Sequence, residues 1–196
     1  MNIANLLTSF RILCIPLLVL FFYLPVSWGQ TTAALIFAVV GWTDWFDGWV
    51  ARKFDMQSRL GAFLDPVADK LMVAASLILL VEQHATIWIA APAVVIISRE
   101  ITVSALREWM AEYGELSAIK VINIAKFKTL MQLSAIFFLL LAGKEANITS
   151  VFDHSWLYMW GYVFLYVAVA LTLWSMVIYL KSTWPLLNAE TDEKAD

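Results

Sequence analysis

Residues Ser155 to Leu180 read SWLYMWGYVFLYVAVALTLWSMVIYL, a run of 26 residues without a charged side chain. A helix needs about 20 consecutive apolar residues to cross the hydrocarbon core of a bilayer. Since backbone polar groups cannot be left unsatisfied in hydrocarbon, a spanning segment of this kind is a helix. The run therefore predicts a transmembrane helix.

Five further apolar stretches precede this run, and the sequence predicts a helix for each. They cover residues 5–26, 31–50, 63–81, 86–107 and 128–143. The chain is 62% hydrophobic and only 15% charged, whereas soluble domains carry about 25% charged residues. We therefore expect an all-α, polytopic membrane protein with a bundle of six transmembrane helices, and the composition argues against a soluble enzyme. Residues 1–187 are predicted to form one membrane domain, followed by a polar, acidic tail at 188–196.

The basic residues indicate the orientation of these helices. With the N-terminus in the cytoplasm, Lys144 alone of the 13 lysines and arginines lies in a loop on the opposite side. Such a bias marks the cytoplasmic side of a membrane protein. Both termini are therefore predicted to be cytoplasmic.

Four carboxylates fall within or beside the second and third predicted helices, where charged residues are costly and indicate a functional site. Asp44 and Asp47 are three residues apart, and Asp65 and Asp69 are four apart. Both spacings place the two side chains on one helical face. Because the connection between the helices is short, the two pairs can face each other near the cytoplasmic surface.

Two interpretations of these carboxylates follow from spacing alone. Hard divalent cations such as Mg²⁺ or Mn²⁺ prefer oxygen ligands, so the four side chains could form a metal site. They could equally form a structural network with nearby Arg52, Lys53 and Lys70.

The neighbouring residues favour the metal site. Gly48 lets a ligand approach the helix backbone closely, and Arg52, one turn later, can meet a phosphate charge. Gly61 can serve the turn between the helices. A metal, an open stretch of backbone and an arginine together indicate a pyrophosphate pocket.

This motif resembles the signature of the CDP-alcohol phosphotransferase family. It reads D44-W-F-D47-G48-W-V-A51-R52, followed at fixed offsets by Gly61, Asp65 and Asp69. The resemblance implies that Asp44, Asp47 and Asp65 hold two divalent cations on the pyrophosphate of CDP-diacylglycerol. Asp69 completes the cluster and resembles the general base of the family. The residues implied to contact the CDP-diacylglycerol are Asn5, Thr8, Gly48, Arg52, Ser58 and Gly61.

Two later segments resemble family members that use sn-glycerol 3-phosphate as the acceptor. They are I97-S-R-E-I-T-V-S-A-L-R-E-W-M-A111 and K126-F-K-T129. Bacterial members commonly have glycine where this chain has Ala125. The resemblance implies transfer of a phosphatidyl group to the acceptor's 1-hydroxyl, with release of CMP, at the bacterial cytoplasmic membrane. Phosphatidylserine, phosphatidylinositol-phosphate and cardiolipin synthases share the aspartate motif and stay open as alternatives, as does a homodimer; no nucleic-acid partner is expected.

Five basic residues map to the same side of the membrane as the aspartates and are candidates for binding the acceptor phosphate. They are Arg11, Arg99, Arg107, Lys126 and Lys128. The alternative is that some anchor the protein to anionic lipid headgroups. Arg99 follows a long apolar run and should lie deeper than an anchor, so it needs an anionic partner. Glu100, Glu108 or a substrate phosphate could supply one.

A cation-coupled transporter is the alternative from a different class. Binding sites of transporters usually lie near the bilayer midplane on broken helices. The aspartates of this chain map to one edge of the membrane instead, which favours the enzyme.

Overall fold

The computed structural model describes residues 3–54, 59–112, 122–143 and 155–193. Within these ranges, side chains are described for 9–43, 64, 67–106, 108–110, 127–143 and 156–181. The described residues form six helices and no strand: α1 (Ile3–Tyr23), α2 (Gly29–Phe54), α3 (Arg59–His84), α4 (Ile87–Glu112), α5 (Ile122–Ala142) and α6 (Ser155–Glu193). The prediction of an all-α fold is confirmed for this part of the chain.

The helices extend beyond several of the predicted apolar stretches. α5 begins at Ile122 rather than near Lys128, and α6 continues to Glu193 rather than ending near Leu180. The apolar run marks only the part of a helix suited to hydrocarbon, and polar residues can prolong that helix into water. Because α6 includes residues 188–193, most of the predicted tail is helical, and the domain limit at residue 187 stays a prediction.

Among the described residues, two helices contain a segment long and apolar enough to cross a membrane, Ile87–Met110 and Trp156–Lys181. Shorter apolar segments occupy Ser9–Tyr23 and Phe127–Ala142. Large apolar side chains face outward along the bundle, among them Leu13, Ile78 and Trp42, which is 73% exposed. Soluble monomers rarely expose so many apolar side chains, and an apolar exterior of this kind suits a lipid environment.

Contacts at one end of the bundle show that successive helices alternate in direction. Tyr23, at the end of α1, donates a hydrogen bond to Glu82, near the end of α3. Tyr158, near the start of α6, donates to the carbonyl of Gly143, which follows α5. We call this the Tyr158 end. The opposite end, which holds the later residues of α2, α4 and α6 and the early residues of α1, α3 and α5, is called the Asp69 end.

The core between the two ends is apolar and draws on all six helices. α5 and α6 pack together most extensively, and α1 and α5 each pack against both α2 and α3. The core includes Leu18, Phe37, Leu77, Ile96, Ile136 and Leu165. Because lipid is as apolar as these side chains, close packing rather than transfer from water stabilises such a core in a membrane. By fixing how the helices align along the bundle axis, this core determines which polar residues of the Asp69 end lie level with one another.

Candidate active site

The aspartate motif lies on the α2 and α3 segments at the Asp69 end. Asp44, Asp47, Gly48 and Arg52 belong to α2, and Asp65 and Asp69 belong to α3. Of these side chains, the structure describes that of Asp69, which is half-buried. The predicted convergence of the four carboxylates therefore lies outside the described side chains and stays a prediction.

One prediction about the motif is wrong. α3 begins at Arg59, so Gly61 lies in the first turn of this helix and not in the connection between the helices. A glycine is tolerated in the first turn, where the backbone N–H groups have no partner within the helix. Ser58 falls outside the described residues, and Asn5 and Thr8 lie on α1 with side chains that are not described.

The packing of α2 against α5 shows which α5 residues lie level with the motif along the bundle axis. A Cβ placed on Gly41 would lie 3.6 Å from Cδ1 of Leu133, so these two residues face each other. Because α2 and α5 are antiparallel and rise about 1.5 Å per residue, Asp44 and Asp47 stand at the heights of Leu130 and Phe127. The α2 part of the motif is thus level with Lys128.

Arg11 stands at the height of Asp69 on the other side of the motif. α1 and α3 are parallel and joined at Tyr23 and Glu82. Arg11 lies 12 residues before Tyr23, and Lys70, the neighbour of Asp69, lies 12 residues before Glu82. The Arg11 side chain is buried, with 2% of its surface exposed.

A cluster of polar side chains joins α4, α5 and α6 at the Asp69 end, and we call it the Arg99 cluster. Its members are Arg99, Glu100, Lys128, Ser175 and Tyr179. Lys128 donates a hydrogen bond to the Glu100 carboxylate, and Nη1 of Arg99 lies 3.5 Å from the same carboxylate oxygen. Arg99 and Lys128 are buried, whereas Glu100 is 25% exposed. Arg99 and Lys128 thus both contact the Glu100 carboxylate.

Arg99 is buried within the bundle, and Glu100 is an anionic partner, as the sequence allowed. The structure brings together two of the five predicted acceptor-binding cations, Arg99 and Lys128. Arg107 and Lys126 belong to α4 and α5, and their side chains are not described.

Ser175 and Tyr179 are two members of the cluster that were not predicted from the sequence. Nη2 of Arg99 donates a hydrogen bond of 2.9 Å to Oγ of Ser175, and Cζ of Arg99 lies 5.6 Å from the centre of the Tyr179 ring. Both residues belong to the long uncharged run of α6, where a serine and a tyrosine look like ordinary components of a membrane helix. Their spacing of four residues, which places them on one helical face, was the signal that could have found them.

Two buried oxygens near the cluster have no hydrogen-bond partner among the described residues. They are Oε1 of Gln132, one turn from Lys128, and Oγ1 of Thr172, one turn from Ser175. A buried polar atom without a partner is costly and is usually satisfied by water or a ligand. The interior beside the Arg99 cluster is therefore polar on its α5 and α6 sides.

The residues available for a metal are oxygen donors. Within the described side chains, no group of three or more histidines, cysteines or carboxylates occurs, and the side chains of Asp44, Asp47 and Asp65 lie outside that set. Four carboxylates on two helix segments at one end of the bundle are nonetheless the donor set that Mg²⁺ and Mn²⁺ prefer.

Comparison with known proteins settles the family. The sequence model of the CDP-alcohol phosphatidyltransferases matches residues 1–174. The chain belongs to this family. Among its curated relatives is a CDP-diacylglycerol–glycerol-3-phosphate 3-phosphatidyltransferase of Pseudomonas fluorescens, 48% identical over 97% of this chain and 94% of the relative. A protein of the same name from Escherichia coli K12 is 48% identical over 92% of this chain and 94% of the relative. The family resemblance inferred from the aspartate motif is thereby confirmed.

Proposed function

We propose that this CDP-alcohol phosphotransferase transfers the phosphatidyl group of CDP-diacylglycerol to the 1-hydroxyl of sn-glycerol 3-phosphate. The products are phosphatidylglycerophosphate and CMP, which makes the reaction a step of phospholipid biosynthesis. The relatives named for this activity are similar over nearly their whole length, so the resemblance includes the helices that carry the acceptor candidates as well as the aspartate motif.

The observation that carries the proposal is the position of the Arg99 cluster. It contains the buried cations Arg99 and Lys128 and lies at the same end of the bundle as the aspartate motif. Arginine and lysine side chains form charge-assisted hydrogen bonds with phosphate oxygens, so Arg99 and Lys128 at this end of the bundle suit a phosphate monoester. Serine carries no phosphate, so the cluster favours a phosphorylated acceptor.

For the donor, we assign the CDP-diacylglycerol contacts to residues of the first three helices and the connection between α2 and α3. They are Asn5, Thr8, Gly48, Arg52, Ser58 and Gly61. A glycine at position 48 leaves the α2 backbone open to the pyrophosphate, and Arg52 can pair with a phosphoryl oxygen.

Asp44, Asp47, Asp65 and Asp69 would hold the metal, and two ions are proposed. Bound Mg²⁺ or Mn²⁺ would neutralise charge on the phosphoryl oxygens and on the leaving group. Without such neutralisation, four carboxylates in one place would repel one another unless protonated.

Asp69 is proposed as the general base. Its carboxylate accepts the proton of the 1-hydroxyl, and the resulting oxygen attacks the phosphorus atom on the lipid side of the pyrophosphate. The new phosphorus–oxygen bond forms as the bond to the bridging oxygen breaks, and CMP leaves with that oxygen.

The acceptor phosphate is assigned to Arg99 and Lys128 of the cluster, with Arg11, Arg107 and Lys126 as further contacts. Holding the phosphate at the cluster fixes the 1-hydroxyl relative to the base. Such positioning is a large part of catalysis when little covalent chemistry falls to the protein.

The membrane arrangement proposed for the enzyme is six transmembrane helices with both termini in the cytoplasm of a bacterium. The Asp69 end then lies at the cytoplasmic face of the inner membrane. There a lipid donor can enter from the bilayer while a water-soluble acceptor arrives from the cytoplasm.

The test is an assay of the purified protein with CDP-diacylglycerol and a panel of four acceptors: serine, inositol phosphate, glycerol 3-phosphate and phosphatidylglycerol. We expect CMP release that depends on glycerol 3-phosphate. Release with one of the other acceptors alone would assign the chain to another member of the family. No release with any of them, together with cation uptake into liposomes, would favour the transporter.

A further inference from the structure

We propose that Ser175 and Tyr179 of α6 are positioning residues, which act on the acceptor through Arg99. This inference rests on the proposed function, because it assumes that Arg99 binds the phosphate of glycerol 3-phosphate. The three residues meet although Arg99 and Ser175 are 76 positions apart in the chain.

The hydrogen bonds of Ser175 fix the direction in which its oxygen accepts. Oγ of Ser175 donates its only proton to the backbone carbonyl of Thr172, at 2.9 Å. A hydroxyl has one donor and two acceptor lone pairs, so the proton is committed to the helix and a lone pair accepts the Nη2–H of Arg99. The backbone of α6 thus orients the serine, and the serine orients the guanidinium.

Tyr179 contributes the second constraint. The Arg99 guanidinium carbon lies 5.6 Å from the centre of the Tyr179 ring, within the range in which a cation and an aromatic ring attract each other. Tyr179 and Ser175 are both buried. A buried ring beside the guanidinium and a hydroxyl at one of its nitrogens restrict both its position and its rotation.

Glu100 completes the arrangement from the other side. Nη1 of Arg99 lies 3.5 Å from Glu100, which also accepts from Lys128. A distance of 3.5 Å is at the outer limit for a hydrogen bond, so the Nη2 contact with Ser175 is the better-formed of these two. An arginine held in this way loses less side-chain entropy when it binds a phosphate, because preorganisation reduces the cost of binding.

A matched control is available in Ser76 of α3. Its hydroxyl is also fully buried and also donates to a carbonyl of its own helix, that of Met72, at 2.8 Å. Ser76→Ala therefore removes the same hydroxyl from the same kind of environment, while leaving the Arg99 cluster untouched.

The experiment compares KM for glycerol 3-phosphate, KM for CDP-diacylglycerol and melting temperature in detergent. Ser175→Ala is expected to raise KM for glycerol 3-phosphate about two- to tenfold, the range given by the net contribution of one hydrogen bond. KM for CDP-diacylglycerol should stay unchanged, and Ser175→Thr, which keeps a hydroxyl, should restore the acceptor KM. Ser76→Ala should leave both KM values unchanged.

A double-variant cycle separates positioning from a general structural effect. In an Arg99→Ala background, Ser175→Ala should add nothing to the acceptor KM, because the serine acts through the arginine. Two results would overturn the inference. One is an equal effect of Ser175→Ala with and without Arg99; the other is an acceptor KM for Ser175→Ala that stays unchanged, as is expected for Ser76→Ala.

Tyr179 gives an independent variant should Ser175→Ala fail to fold. Tyr179→Leu removes the ring and should raise KM for glycerol 3-phosphate, whereas Tyr179→Phe keeps the ring and should raise it less. Equal acceptor KM values for these two variants and the wild type would overturn the role of the ring.

Arg99→Ala alone distinguishes the two levels of the proposal. If this variant shifts the acceptor KM and Ser175→Ala does not, the positioning inference fails while the proposed function stands. If Arg99→Ala leaves the acceptor KM unchanged, the assignment of the acceptor site fails, and the positioning role falls with it.

Discussion

Lys128 of α5 donates a hydrogen bond to the carboxylate of Glu100 in α4, and this carboxylate is also within 3.5 Å of Arg99. Glu100→Gln would leave two buried cations without their shared negative charge. We expect the free energy of unfolding to fall by about 1–3 kcal/mol, the cost of leaving a buried charged group poorly satisfied. The measurement is thermal unfolding in detergent. Glu108→Gln, an exposed position on the same helix, is the control, and equal melting temperatures for the two variants would contradict the prediction.

Removal of a cation from the acceptor site should affect one substrate more than the other. Arg99→Ala and Lys126→Ala are each expected to raise KM for glycerol 3-phosphate more than KM for CDP-diacylglycerol. The loss of a charge-assisted hydrogen bond costs about 1.5–3 kcal/mol, roughly ten- to a hundredfold in KM. If both KM values rose together, these residues would be lipid anchors or structural partners instead.

Activity should require a divalent cation. Treatment with EDTA should abolish CMP release, and added Mg²⁺ or Mn²⁺ should restore it. Asp44→Asn, Asp47→Asn and Asp65→Asn should each nearly abolish turnover, because an amide keeps the shape of the side chain but loses the charge that binds the metal. Full turnover after EDTA treatment would exclude the proposed metal site.

Asp69→Asn separates the role of a base from that of a metal ligand. If Asp69 is the base, the variant should bind CDP-diacylglycerol while turnover collapses, since the other three carboxylates still hold the metal. The measurement is a titration with Mg²⁺ and Mn²⁺ that follows nucleotide binding, turnover and melting temperature. Rescue of turnover by excess metal would show a ligand. Retained turnover in a less stable protein would show a structural role.

The packing of α6 against α5 and of α2 against α5 predicts different effects of alanine at two glycines. A Cβ at Gly161 would lie 2.8 Å from two carbons of the buried Leu139 side chain, whereas a Cβ at Gly41 would lie at an ordinary 3.6 Å from Leu133. Gly161→Ala should destabilise the protein by about 1–3 kcal/mol through overpacking. Gly41→Ala should be neutral or stabilise it by up to about 1 kcal/mol, because alanine favours a helix. Melting temperatures that change in the same direction at both positions would contradict this prediction.

Much of the fold could be predicted because the apolar runs are long. Each of the six predicted stretches coincides with one helix. The helix ends could not be predicted in this way, since polar and charged residues before Lys128 and after Leu180 interrupt the apolar runs but are still compatible with a helix. Gly61 was assigned to the connection because glycine is frequent in turns, but α3 already begins at Arg59.

The site was predictable only in part. The aspartates and basic residues were conspicuous because charges are rare in this sequence, and the burial of Arg99 followed from the apolar run before it. The partners Ser175 and Tyr179 could not be predicted, because their contact with Arg99 depends on the register between α4 and α6. That register is set by contacts distant in sequence, such as the hydrogen bond from Tyr166 to the carbonyl of Trp88.

The Arg99 cluster is built from α4, α5 and α6, whereas the aspartate motif lies on α2 and α3. In the proposed assignment, the residues for the nucleotide and the metals lie in the first half of the chain, and four of the five for the acceptor phosphate lie in the second half. With this arrangement, changes confined to the second half could alter the choice of alcohol while the residues of the aspartate motif stay the same. Chimeras of two family members, joined in the short connection between α3 and α4 at Ala85 and Thr86, would test whether the choice of alcohol can be changed in this way.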